Sequence, residues 1–158
     1  MNPILTERWI ANRSYFKSIL RIVAGYIFIQ SGTMKLFSFP MGMPPEVGPL
    51  NIMSQIGIGG ILEVVGGALF IVGLFTRPVS FILCGEMAVA YFQFHAPNGF
   101  WTLTNGGGDA MLFCFIFLFF SAAGGGPWSL DVMRSSIKRS KMEEREHVEN
   151  YKKWRETN

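Results

Sequence analysis

Lys35, Glu63, Glu86, His95 and Asp109 all carry charge or titrate, and all five fall inside or at the rims of long apolar runs. An ionisable side chain there is costly unless it meets a partner, so each marks an interior contact, a proton step or a ligand contact. At ~1.5 Å per residue, Lys35 lies near the end of the first run and Glu63 about 10 Å from the same side along the second. His95 closes the third run and Asp109 opens the fourth. Four ionisable groups are therefore predicted to gather at one side.

Periodicity says which way they face. Lys35 recurs with Gly25, Phe28 and Gly32, and Glu63 with Gly59, Gly66 or Gly67, Phe70 and Gly73. Glycine rows are where membrane helices approach one another. That predicts a Lys35–Glu63 ion pair. The simpler reading has Lys35 reaching out to an interface and Glu63 as a protonated acid bonded to backbone. Glu86, nine residues before His95, is predicted half a turn away from it, on a face with Ala90 and Gln93. It is placed either near Gln30 or in a subunit contact. The plain reading is a buried neutral acid making one hydrogen bond, and the alternative is a proton or quinone-linked role in a relay of Glu63, Glu86 and Gln30.

The elements that position these groups are four hydrophobic stretches at about 18–37, 56–75, 79–96 and 106–123, each near the ~20 residues that span a bilayer. Arg8, Arg13, Lys17 and Arg21 belong to the start of the first. Arg77 sits between the second and third, and eight further basic residues come after the fourth, whereas loops 38–55 and 97–105 hold no Lys or Arg. This asymmetry predicts four crossings with both termini in the cytoplasm. The implied fold class is an all-α membrane protein, an antiparallel four-helix transmembrane bundle. It divides into an interfacial segment at 1–17, a membrane domain at 18–130 and a charged cytoplasmic tail at 131–158. Arg21 and Arg77 are read as topology markers contacting lipid head groups. The net charge of +3 is assigned to membrane orientation, so no nucleic-acid partner is expected.

The first stretch is read as a retained span, because it is full length and lacks a cleavage pattern. Loop 38–55, rich in Pro40, Gly42, Pro44, Pro45, Gly48 and Pro49, is predicted to be an irregular outer cap. Cys84 and Cys114 sit in apolar spans outside any CxxC pattern and are read as small apolar residues. His95 and His147 are placed on opposite membrane faces, so no metal or haem is expected. The glycines at 106–108 ahead of the fourth stretch have three readings: backbone donors for an anion, a hinge, or a helix start packed closely on its neighbour. Aromatic residues including Tyr26, Phe28, Tyr91, Phe94, Phe100 and Trp101 offer stacking surfaces for a flat ligand such as a quinone head group.

Several of these motifs together resemble the DoxX family of small bacterial membrane proteins. The resemblance runs from Gly32-Thr33-Met34-Lys35-Leu36-Phe37 through Leu62-Glu63-Val64-Val65-Gly66-Gly67 and Gly73-Leu74-Phe75-Thr76-Arg77-Pro78. It continues in Gly85-Glu86-Met87-Ala88, His95-Ala96-Pro97 and Phe100-Trp101, and closes with Gly126-Pro127-Trp128-Ser129-Leu130-Asp131. It implies a multi-pass protein of the bacterial inner membrane and points to Lys35, Glu63, Arg77, Glu86, His95 and Asn105 as shared positions. Many relatives carry Glu where this chain has Gly108, with Asp109 one place later and about 100° further round a helix.

The resemblance also extends to the small DoxD-type subunit of thiosulfate:quinone oxidoreductase, which implies a redox partner protein. The leading expectation is a binding or accessory subunit with a polar cavity formed by Lys35, Glu63, His95, Asn105 and Asp109, under a lid of Phe100 and Trp101. The alternatives are a quinone-linked oxidoreductase subunit, then a small-solute transporter or a scaffold. Glycine-rich faces also suit a homodimer.

Overall fold

The computed structural model describes residues 3–42 and 51–157. The predicted cap at Pro44, Pro45, Gly48 and Pro49 lies outside the described residues. Among the described residues every regular element is helical. Helix α1 (Pro3–Phe37) starts at a proline, meets no other until Pro40, and carries residues 3–17 into the first apolar stretch without a break. Helix α2 (Gln55–Val72) begins at Ser54, whose hydroxyl accepts from the Gly57 N–H at 3.1 Å. It ends at Gly73, where φ is +69° and a Cβ would lie 2.5 Å from that of Ser129. Only glycine suits that stop.

Helix α3 (Thr76–Ala90) comes at once after it, with Pro78 in its first turn. It continues through a π-helical turn, Tyr91–His95, and a 3-10 turn, Ala96–Asn98. A short α4 (Thr102–Asn105) leads into α5 (Gly108–Ala123) and the long polar α6 (Leu130–Thr157). By length and composition, Gln55–Val72 and Thr76–Asn98 can cross a membrane. Gly108–Ala123 is apolar but has 16 residues, and α1 is diluted by Arg21 and Lys35.

Helix α1 lies along α2, α3 lies along α5, and α2 meets α3. The tandem glycines of α2 serve both neighbours. Gly60 and Gly67 face Leu36 and Ile29 of α1, while Gly59 and Gly66 face Glu86 and Leu83 of α3. The predicted face holding Gly59 and Glu63 therefore splits in two: Glu63 belongs with the Gly60 and Gly67 side. Buried Phe28, Phe70, Phe117 and Phe120 join α1, α2 and α5 through edge-on ring contacts, such as Phe70–Phe117 at 5.0 Å and 79°.

One end of this assembly is tied by polar groups. Arg21, read from sequence as a lipid contact, is fully buried. Its Nε donates to Gly125 O at 2.8 Å and its Nη2 to Trp128 O at 2.7 Å, while Nη1 donates to Phe70 O and Ile71 O. A guanidinium therefore caps the C-terminal carbonyls of α2, where positive charge is favoured. Lys17 does the same for α5, donating to Ala123 O at 2.8 Å. Arg77 stays exposed beside Gly124.

Asp131 closes the knot from α6: its carboxylate accepts the Phe75 and Thr76 N–H groups, each at 2.8 Å, at the start of α3. Burial alone would raise this carboxyl, but the two backbone donors, the Thr76 side chain and nearby Arg134 outweigh it and hold it below the usual carboxylate range. A lowered folded-state pKa adds stability that is present above the unfolded value, about 4, and lost as pH falls through the folded one. Melting temperatures of wild type and Asp131→Asn are thus expected to differ at neutral pH, with the gap beginning to shrink below about pH 4 and closing only as pH falls through the lowered folded-state value. A gap that persists in acid would refute the charged cap.

Candidate functional site

The predicted pair forms at the far end from Arg21. Lys35 Nζ lies 2.6 Å from Glu63 Oε1, with the Lys35 side chain 23% exposed and that of Glu63 1%. Ser31, one turn before Lys35 on the same face, donates to the same oxygen at 3.2 Å. Gly32 makes this contact reachable: a Cβ there would come within 2.9 Å of Glu63 Cβ and of Gly60 O. Glu63 Oε2 is buried with no hydrogen-bond partner.

Lys35 also faces a cavity of about 600 Å³ between α1, α2 and α3. Glu86 and His95 line it with Gln55, and Met34, Ile58, Leu62, Ile82, Val89 and Phe94 supply apolar wall. Glu86 points across α2, its Oε1 3.3 Å from where a Gly59 Cβ would sit. Both its carboxylate oxygens are buried and unpartnered. Glu63 stands behind Lys35, outside the wall.

Glu86 and His95 share this cavity although α-helical spacing puts them on opposite faces. The π-helical turn Tyr91–His95 explains it, since Ala96 N–H bonds to Tyr91 O, an i to i+5 closure. Such a turn holds one residue more than an α turn and rotates the residues after it back by about 100°. His95 is fixed there by Nδ1 against Asn105 O at 3.1 Å.

Other predicted members lie elsewhere. Asn105 is buried at the end of α4, where Nδ2 donates to Gly99 O at 2.8 Å and Oδ1 accepts from Gly107 N at 2.7 Å. Its side chain shapes the turn that presents a carbonyl to His95. Asp109 is exposed in the first turn of α5, where a carboxylate suits the helix dipole. Phe100 and Trp101, the predicted lid, are 83% and 71% exposed and pack edge-on against each other away from the cavity. Gln30 turns back to Tyr26 O at 3.4 Å on its own helix, so it does not reach Glu86 as the relay required. Of the three readings of the glycine loop, close packing fits, since a Cβ on Gly107 would meet Tyr91 and His95 Cβ at 2.8 Å.

Comparison with known proteins adds to this geometry. Residues 16–96 match the family model described as DoxX. The chain belongs to the DoxX family. A protein of Haemophilus influenzae described as an uncharacterized protein is 43% identical over 122 residues, covering 75% of this chain and 90% of that relative. The uncharacterized membrane protein Rv3486 of Mycobacterium tuberculosis is 29% identical over 133 residues, 71% of this chain and 77% of the relative. No solved structure matches the chain. With two helices able to cross a bilayer and a membrane protein among its relatives, this is a DoxX membrane protein.

Among the described residues of the DoxX chain, no cluster of three or more His, Cys, Asp or Glu side chains could hold a metal. Sequence reasoning missed Ser31 and Gln55. Ser31 was findable, because it sits four residues before Lys35 and so shares its face. Gln55 carried no signal: it enters through a bond with Gln93 across α2 and α3 that no local spacing encodes.

Proposed function

We propose that this DoxX protein crosses the bacterial inner membrane four times as an antiparallel four-helix bundle, with both tails in the cytoplasm. It acts as a binding or accessory subunit of a redox-linked complex, holding a small amphipathic ligand between α1, α2 and α3. The observation that carries this reading is the cavity itself: apolar walls interrupted by the polar side chains of Lys35, Glu86 and His95. Pockets of that composition orient a ligand by its polar end and hold its body by burial. A quinone head group meets the description, as does any lipophilic molecule with a single polar end. The redox partner rests on the resemblance to thiosulfate:quinone oxidoreductase subunits.

Gly85 supplies the test. It lines the cavity, and a Cβ there meets nothing within 4 Å, so a side chain can start there in open space and grow along the cavity wall. Mass spectrometry of protein purified in mild detergent is expected to find a small molecule with wild type and to lose it with Gly85→Leu. Equal recovery from both would end the ligand reading. Reporter tags on either terminus should be reachable only from the cytoplasmic face, and an outward carboxyl tail would overturn the topology.

A further inference from the structure

The charges around the cavity do not balance. Among the described residues of its wall Lys35 is the one ammonium, and Glu63 Oε1 at 2.6 Å already neutralises it. His95 is engaged through Nδ1. There remains Glu86, with two buried oxygens and no donor for either. A carboxyl group so placed either holds a proton or meets a cation. The wall around it is apolar, and Ile58, Ile82, Val89 and Phe94 are each about half exposed at the outer surface. The cavity thus opens sideways, where the bilayer would lie, and its entrant must itself be lipophilic.

From this we infer that the cavity binds a lipophilic organic monocation, its charge set against the Glu86 carboxylate and its apolar body along Leu62, Ile82 and Phe94. The inference rests on the ligand-cavity reading above and names the ligand's class. A small hydrated metal ion is a poor match, because it needs a shell of oxygens, whereas a delocalised organic charge tolerates hydrocarbon contact. Cation and proton compete for one carboxylate, so binding releases the proton Glu86 holds. The ionisable groups that act on Glu86 are Lys35 from α1 and Glu63 from α2, and His95, at the end of its own helix, lines the same cavity. Helix α5 contributes none to the wall.

The probe is radiolabelled tetraphenylphosphonium, dialysed to equilibrium against the full chain in detergent, with neutral triphenylphosphine oxide as competitor. The expected result is saturable binding that the neutral analogue does not displace, that tightens as pH rises, and that releases protons in weak buffer. Glu86→Gln, nearly isosteric, should weaken it by about tenfold or more and flatten its pH dependence, and Gly85→Leu should abolish it. Uptake that is unsaturable, or equal in wild type and Glu86→Gln, would overturn the inference. A quinone analogue that binds in a manner blocked by Gly85→Leu, where the phosphonium does not bind, would overturn the cation while sparing the cavity. Binding of neither, with nothing copurifying, would remove both.

Discussion

Arg21→Leu is expected to be the most destabilising single substitution in the described chain, on the order of 4 kcal/mol. The guanidinium is fully buried and is shared among carbonyls of Phe70, Ile71, Gly125 and Trp128, which belong to the end of α2 and to the turn before α6. Leucine would leave all four acceptors without this donor, and an unsatisfied buried carbonyl costs about 1–3 kcal/mol. Water could relieve some of them, because Trp128 is half exposed. Arg21→Lys should recover less than half of the loss, since one compact ammonium cannot span a fork of donors. Arg77→Leu is the control: Arg77 is exposed, and its removal should shift stability by less than about 0.5 kcal/mol. Thermal unfolding in detergent, followed by tryptophan fluorescence, distinguishes the three. An Arg21→Leu protein that melts with the Arg77 control would show that the α2 end is held by something else.

How much of the molecule is legible in its sequence depends on the kind of signal each feature leaves. Lys35 and Glu63 are legible because glycine recurs with each at helical spacing, and a charge on a packed face has few partners to choose from. Helices α2, α3 and α5 are legible as apolar runs. Arg21 is misread because a cation at the start of an apolar run looks the same whether it reaches head groups or turns inward. The acceptors that settle its direction lie 49 to 107 residues away. The π-helical turn at Tyr91–His95 misplaces His95 because periodicity arguments assume 3.6 residues per turn throughout, and nothing in Tyr91-Phe92-Gln93-Phe94-His95 announces an extra residue. Phe100 and Trp101 are assigned to the lid because aromatic residues near a site suggest coverage. Their loop, pinned by Asn105 to Gly99, faces them away. The glycine pairs of α2 read as one row although α2 has neighbours on two sides, and only their packing separates Gly59 from Gly60.

The second large effect concerns the Lys35–Glu63 pair, and its sign pattern tests whether the pair is internal. The two partners are unequally buried, 23% against 1%. Removing Glu63 leaves an ammonium that can swing outward on a flexible stem. Removing Lys35 leaves a carboxyl group enclosed by α1 and α2, with only the Ser31 hydroxyl to serve it. Lys35→Met is therefore expected to cost about 3 kcal/mol, the low end of the range for breaking a buried ion pair from one side, and Glu63→Leu less, about 2 kcal/mol, because the Lys35 ammonium it leaves can reach solvent. The double variant should be no worse than Lys35→Met alone, because apolar residues of similar size can replace a buried pair at little net loss. That corresponds to a coupling energy of about 2 kcal/mol in a double-mutant cycle, read from unfolding of the purified chain in detergent. Costs that simply add, or a Glu63→Leu protein less stable than Lys35→Met, would mean that each side chain acts alone. Lys35 would then be a surface cation whose contact with Glu63 contributes nothing to the fold, and the cavity would lose the neutralised wall that leaves Glu86 as its uncompensated charge.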